Sequence, residues 1–166
     1  ETLNLPFSLE AKSLIMPIGI SFYTLQAISY MADVYWGKIK AETNLEKTAL
    51  FLAFFPQIME GPIARYSDTA DTLFAEKSLE IQNLQNGYLR IIWGLFKKRV
   101  IADRLAVAVA AVFDNYTSYS GAIVAVSAVA YTVQLYMEFS GCMDIIIGSG
   151  ETFGIRLPEN FRQPFC

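Results

Sequence analysis

The chain has 166 residues, of which 54% are hydrophobic, 14% aromatic and only 17% charged, with a net charge of −3; its mean hydropathy is +0.34. Soluble domains carry about 25% charged residues, so the deficit points to a membrane setting, and the acidic balance offers no basic patch for nucleic acid. No zinc or P-loop spacing is present, there is no histidine, and two cysteines, Cys142 and Cys166, do not make a disulfide framework. Cys142 lies in an apolar stretch and reads as a buried free thiol. Residues 1–166 read as one partial membrane domain with no internal boundary, repeat or linker, and are expected to continue beyond residue 166.

Leu14–Ala32 is free of charge and is followed by Tyr35 and Trp36, a candidate interfacial belt. Nineteen uncharged residues nearly cross a bilayer core of about 30 Å. The run nevertheless contains Pro17, Gly19, Ser21, Thr24, Gln26 and Ser29, so it needs helical neighbours or a cavity to satisfy its side chains. Thr43-Asn44-Leu45-Glu46 fits a capping box through Thr43 and Glu46. The helix that follows is expected over Thr48–Met59, kinked by Pro56 and stopped by Glu60-Gly61-Pro62. Ser67–Ser78 is polar and acidic, a loop or short surface helix. Leu79–Phe96 carries Leu84, Tyr88, Ile91, Ile92 and Leu95 on one face, with Gln82, Asn83, Gln85, Asn86 and Arg90 opposite. That pattern predicts an interfacial helix running into a buried one. Lys97, Lys98, Arg99 and Arg104 form the densest basic cluster and are expected on the cytoplasmic side. Asn115–Met137, uncharged for 23 residues and rich in small side chains, is the clearest span. The chain is then expected to turn through Gly148, Gly150 and Gly154.

An ionisable residue at membrane depth costs at least a few kcal/mol and marks a partner or a site. Glu60, Arg65, Glu138 and Asp144 lie in or beside apolar stretches. Glu138 and Asp144, six residues apart, do not share a helical face at 3.6 residues per turn, so a paired-carboxylate acid/base site would need a break at Gly141. Ser140 and Ser149 lack the G-x-S-x-G setting and an adjacent base; their expected role is helix packing.

Four blocks carry a resemblance: PIGISFYTLQAISYMADVYWGKI (Pro17–Ile39), FLAFFPQIMEGPIARYSD (Phe51–Asp68), GLFKKRVIADRL (Gly94–Leu105) and YMEFSGCMDIIIGSGETFGIRLPENFRQPF (Tyr136–Phe165). Together they resemble the membrane-bound O-acyltransferases, in the bacterial branch of alginate O-acetylation and teichoic acid D-alanyl transfer proteins, with Leu157–Phe161 more like the polysaccharide-acetylating members. Glu138 stands where the family's phrase has Asp, and Glu60 where it has Ala. The resemblance implies an all-α, multi-pass membrane protein of the cell membrane. Its implied task is to carry an acyl group, acetyl above all, from a cytoplasmic thioester (acetyl-coenzyme A or an acyl carrier) toward hydroxyls of an extracytoplasmic polysaccharide. Implied partners are the lipid bilayer, the polysaccharide acceptor and an extracytoplasmic acetyl-transfer protein; no bound cofactor and no metal are implied. The family's histidine is expected after Cys166, so no catalytic residue is expected within this chain. Gln134, Tyr136, Glu138, Ser140, Asp144, Asn160 and Arg162 become candidates for tunnel wall or for positioning the reaction centre. Two other readings stay open. One is a transporter or channel segment lined by Glu138 and Asp144; the other is a non-catalytic scaffold.

Overall fold

The computed structural model describes residues 19–58, 61, 62, 64–75, 80–159 and 161. All regular structure among them is helical. The elements in chain order are α1 (Ile20–Tyr35), α2 (Leu45–Leu52), α3 (Phe55–Ile58), α4 (Tyr66–Leu73) and α5 (Ile81–Phe96). A π-helical segment (Lys97–Ala102), α6 (Asp103–Phe113), a single 3-10 turn (Tyr116–Ser118) and α7 (Gly121–Thr152) complete the series. Calls on Leu14–Ile18, Met59, Glu60, Ser78, Leu79, Asn160, Arg162 and Cys166 fall outside the described residues.

The dominant unit is a helical hairpin. α5, the π segment and α6 run as one uninterrupted rod, return through residues 114–120, and pack antiparallel along α7. Glycines set the spacing. A methyl group on Gly94 would lie 2.5 Å from the Gly141 carbonyl oxygen, and one on Gly141 would lie 2.8 Å from that of Gly94. Gly87 and Gly148 repeat the arrangement at 2.5 and 2.7 Å. The two pairs are seven residues apart on each helix, two turns of one face. Backbone therefore meets backbone, the close packing that small residues permit in lipid.

This corrects the expectation that the second half of α5 is buried. Leu84, Tyr88, Ile92 and Leu95 are exposed, and Gly87 and Gly94 are buried instead. On α7, Ile123, Val126, Val129, Leu135 and Phe139 are likewise exposed. An exposed apolar surface this extensive suits a lipid or protein neighbour, not water. α7, with 32 residues, is long and apolar enough to cross a membrane. At 1.5 Å per residue it is about 48 Å long. It begins at Gly121, because residues 116–118 form the 3-10 turn. It runs unbroken through Gly141, Gly148 and Gly150, and the chain turns only at Gly154, where φ is +73°.

Of the remaining helices, α3 packs on α7, α1 packs on α2 and α3, and α4 packs on α2. Pro56 cannot supply the amide proton that the Leu52 carbonyl would need, so the expected 48–59 helix is divided into α2 and α3 at Ala53-Phe54. α2 is capped by Asn44, not by Thr43: the Asn44 side chain accepts from the amides of Glu46 (2.8 Å) and Lys47 (3.4 Å). Phe54 joins Met143, Ile147, Ile155 and Leu157 in a buried cluster, with Leu73, Ile146 and Phe161 against it. Gln26 of α1 is buried and donates to the Phe51 carbonyl at 3.1 Å and to Gln57 at 3.4 Å, so this polar residue of the first apolar run serves the helix break. Asp33, also buried, pairs with Lys38 at 3.3 Å.

α4, the short helix expected within 67–78, is tied to the 36–44 loop. Glu42 accepts from Tyr66 Oη at 2.9 Å and from the Asn44 amide at 3.0 Å, while its own amide donates to Tyr30 Oη at 2.9 Å. The Asn44 amide, and then the Tyr66 hydroxyl, hold the Glu42 carboxyl below its ordinary range. Burial, and then the Glu42 carboxylate, push the Tyr66 hydroxyl up to about 12.

The glycine contact makes a sharp prediction. Gly94→Val places branched bulk against the Gly141 carbonyl and should destabilise the hairpin by roughly 1–3 kcal/mol or more, the usual cost of overpacking. Gly121→Ala, with nothing within 4 Å of the added methyl, should be neutral or slightly stabilising. Thermal unfolding of the two variants in detergent checks this; equal melting temperatures would refute the contact.

Candidate functional site

The charged residues of the hairpin converge at its centre. Because the glycines bring α5 within backbone contact of α7, Arg90 and Lys97, which share a face seven residues apart, both reach Asp144. Lys97 Nζ lies 2.7 Å from Asp144 Oδ2, and Arg90 Nε lies 3.2 Å from Oδ1. The other edge of the Arg90 guanidinium grips Glu159 with two parallel bonds of 2.6 Å. Such a bidentate pair fixes geometry as well as charge. Arg90 thus joins α5, α7 and the segment after α7 in one network. That segment is further held by the burial of Ile155 and Leu157 and by the Arg156 amide, which donates to Thr72 Oγ1 at 3.3 Å.

Glu138 stands apart. Six residues from Asp144, it sits about 120° away around α7. It meets Lys98 at 3.5 Å, with 43% of its side chain exposed against 14% for Asp144. The same Lys98 ammonium reaches Cys142 Sγ at 3.3 Å. Cys142 is half-buried, not the enclosed thiol expected from its apolar neighbours; the π segment turns Lys98 onto it. The paired-carboxylate arrangement that a break at Gly141 would have allowed is therefore not formed. The basic cluster does not end a helix. It lies mid-rod, with Lys97 and Lys98 committed to α7 while Arg99 pairs with Asp103 at 3.2 Å within its own rod.

Of the expected site residues, Tyr136, Ser140 and Asp144 fall on one stripe of α7, at intervals of four. Ser140 is 1% exposed, and its Oγ has no hydrogen-bond partner among the described residues. Tyr136 packs edge-on against Phe161, ring centres 5.7 Å apart. Gln134 points elsewhere; its Oε1 is buried without a hydrogen bond among the described residues. Asn160 and Arg162 lie outside the described residues. Ser149 donates to the Ile145 carbonyl at 2.7 Å, satisfied within the helix. Arg65 is exposed at the start of α4. Sequence reasoning did not single out Arg90, Lys97 or Glu159 as site residues. The signal was an aspartate in an apolar run, which demands cations, and two cations at helical spacing in the only other long apolar helix with basic residues.

Beside the network a cleft of about 770 Å³ opens between the start of α5 and the end of α7. Arg90, Glu159, Glu80, Asn83, Glu151 and Arg156 are among the residues that line it.

Comparison with known proteins finds relatives over most of the chain. The chain is 42% identical, over 151 residues, to a Pseudomonas fluorescens protein named "Probable alginate O-acetylase AlgI", covering 91% of this chain and 30% of that protein. It is 36% identical over 183 residues to the peptidoglycan O-acetyltransferase of Helicobacter pylori, covering 94% of this chain and 34% of that one. It is 26% identical over 166 residues to the teichoic acid D-alanyltransferase of Bacillus subtilis, covering 92% and 39%. No family model matches the chain. Over the matched residues the chain is similar to proteins named for O-acetylation of alginate and peptidoglycan and for D-alanyl transfer to teichoic acid. It spans about 30% of the length of the alginate O-acetylase relatives it matches.

The network predicts a contrast between the two carboxylates. Asp144→Asn leaves two largely buried cations without their shared partner and should cost about 3 kcal/mol, the lower end for breaking a buried pair. Glu138→Gln breaks a long, half-exposed contact and should cost about 0–1 kcal/mol. Detergent-based unfolding of both variants checks the ordering; equal losses would contradict it.

Proposed function

We propose that the protein is a membrane-embedded O-acyltransferase that passes an acetyl group from a cytoplasmic thioester to hydroxyls of an extracytoplasmic polysaccharide, directly or through an extracytoplasmic carrier protein. The observation that carries this reading is the 42% identity over 91% of the chain to the alginate O-acetylase relative. A multi-pass setting in the cell membrane accords with the exposed apolar faces of α5 and α7. The donor is acetyl-coenzyme A or an acyl carrier.

In the transfer, the acceptor oxygen bonds to the acyl carbon, the carbon–sulfur bond breaks, and the hydroxyl proton passes through a base to the departing thiolate. The step needs a general base and donors for the developing oxyanion. This chain has no histidine, so its part is to position. Asp144, held by Arg90 and Lys97, fixes the register of the hairpin. Tyr136 and Ser140 continue that stripe along α7, where the buried Ser140 hydroxyl has no hydrogen-bond partner among the described residues, and remain candidates for the tunnel wall. Glu138, Gln134, Asn160 and Arg162 remain candidates for its wall. The same pairing weighs against an ion path: Asp144 and Glu138 already have cationic partners, whereas a transport carboxylate has to be free to bind its cargo.

Deleting the gene should remove O-acetyl groups from the cell-surface polysaccharide, read by NMR of the isolated polymer, and the wild-type gene should restore them. Unchanged acetyl content would overturn the proposal. Loss of D-alanyl esters with acetyl groups intact would favour a teichoic acid D-alanyl transfer protein instead.

A further inference from the structure

We propose that Arg90 is a positioning residue for the transfer: its guanidinium clamps Glu159 and so sets the course of the chain that follows α7. This rests on the acyltransferase reading above and deepens it. Asp144 has more cation than it needs. Lys97 Nζ stands 2.7 Å from its Oδ2, and one ammonium neutralises one carboxylate. Arg90 gives Asp144 a single, longer bond, 3.2 Å from Nε. Its Nη1 and Nη2 both turn to Glu159, at 2.6 Å each. With the Arg90 and Glu159 side chains 25% and 32% exposed, this pair adds little stability. What it adds is direction. Two parallel bonds fix the carboxylate in plane and in angle, which a lysine ammonium, a point charge on a flexible stem, does not.

The segment that Arg90 holds is built to pass that direction on. After the turn at Gly154, the Ile155 amide donates to the Gly150 carbonyl at 3.0 Å and the Arg156 amide to Thr72 Oγ1 at 3.3 Å. The Ile155 and Leu157 side chains are buried. Pro158 then fixes its own φ and holds Leu157 extended. Little freedom is left between the buried Leu157 and the clamped Glu159, so the clamp decides where the chain goes next. Asn160 and Arg162, expected beside the reaction centre, are among the next three residues of the sequence. A misplacement of about 1 Å, even one caused far from the chemistry, costs a transfer reaction on the order of 100-fold.

The test uses the intact protein as its gene encodes it, restored to a deletion strain as wild type or variant. The rate at which labelled acetate enters the surface polymer is read against protein level. Arg90→Lys keeps the charge and loses the fork; Glu159→Gln keeps the shape and loses the charge. Each should slow transfer by roughly 10–100-fold, at wild-type protein level and with little change in melting temperature. The double variant should be no slower than the slower single, because both break one clamp and residues that act as a unit are not additive. In the purified variants, hydrogen exchange should show lost protection at the Ile155 and Arg156 amides and unchanged protection along α5. The proposal fails if either single variant transfers at the wild-type rate, if the losses of the two multiply in the double, or if the Ile155 and Arg156 amides stay protected. It fails also if the lost rate is matched by lost protein or a lowered melting temperature, which would make Arg90 structural only. A wild-type gene that adds no acetyl groups would instead overturn the acyltransferase reading, and exchange would then report on the clamp by itself.

Discussion

Everything distinctive in this structure follows from the direct contact of two helix backbones. At Gly87–Gly148 and Gly94–Gly141 there is no room for a side chain on either helix. In water, apolar burial would draw helices together through large side chains. In lipid that force is absent, and close van der Waals contact between small residues takes its place. The large residues consequently point outward, and the hairpin is packed with small residues inside and large ones outside.

That contact fixes a register, and the register decides the electrostatics. With α5 and α7 in place, Arg90 and Lys97 both reach Asp144, while Lys98 serves Glu138 and Cys142. An uncompensated charge at this depth would be costly. Among the described residues Asp144 and Glu138 each have a cation, and Arg90 uses its remaining edge to hold Glu159. The chain after α7 is thereby laid across the hairpin, where it forms one wall of the polar cleft and covers the apolar cluster around Met143 and Ile147. Packing, charge pairing and the candidate site are successive consequences of one spacing.

The sequence made much of this legible. The uncharged runs pointed to helices, Pro56 and Gly61-Pro62 to a broken one, and Glu138 and Asp144 to residues with a purpose. The boundaries were less readable. Gly148 looked like the start of a turn because an isolated glycine ordinarily weakens a helix, whereas here its missing side chain is what a neighbouring helix needs. The second half of α5, expected to be buried, leaves its large apolar residues exposed, because the face that packs is the one its glycines open. Asn44 took the cap from Thr43 because its carboxamide reaches two amides at once. The partners of Asp144 were hidden because pairing across 47 and 54 residues depends on register, which hydrophobic pattern alone does not encode.

Register is therefore the quantity to measure. With Cys166 replaced by Ser, a cysteine in place of Lys98, whose ammonium reaches Cys142 Sγ at 3.3 Å, should be joined to Cys142 by a short bismaleimide in native membranes. Cysteines at 98 and 146, one turn out of register and with Cys142 replaced by Ser, should not. Cross-linking at 98–146 in preference to 98–142 would contradict the glycine contact and, with it, the charge network and the site built upon it.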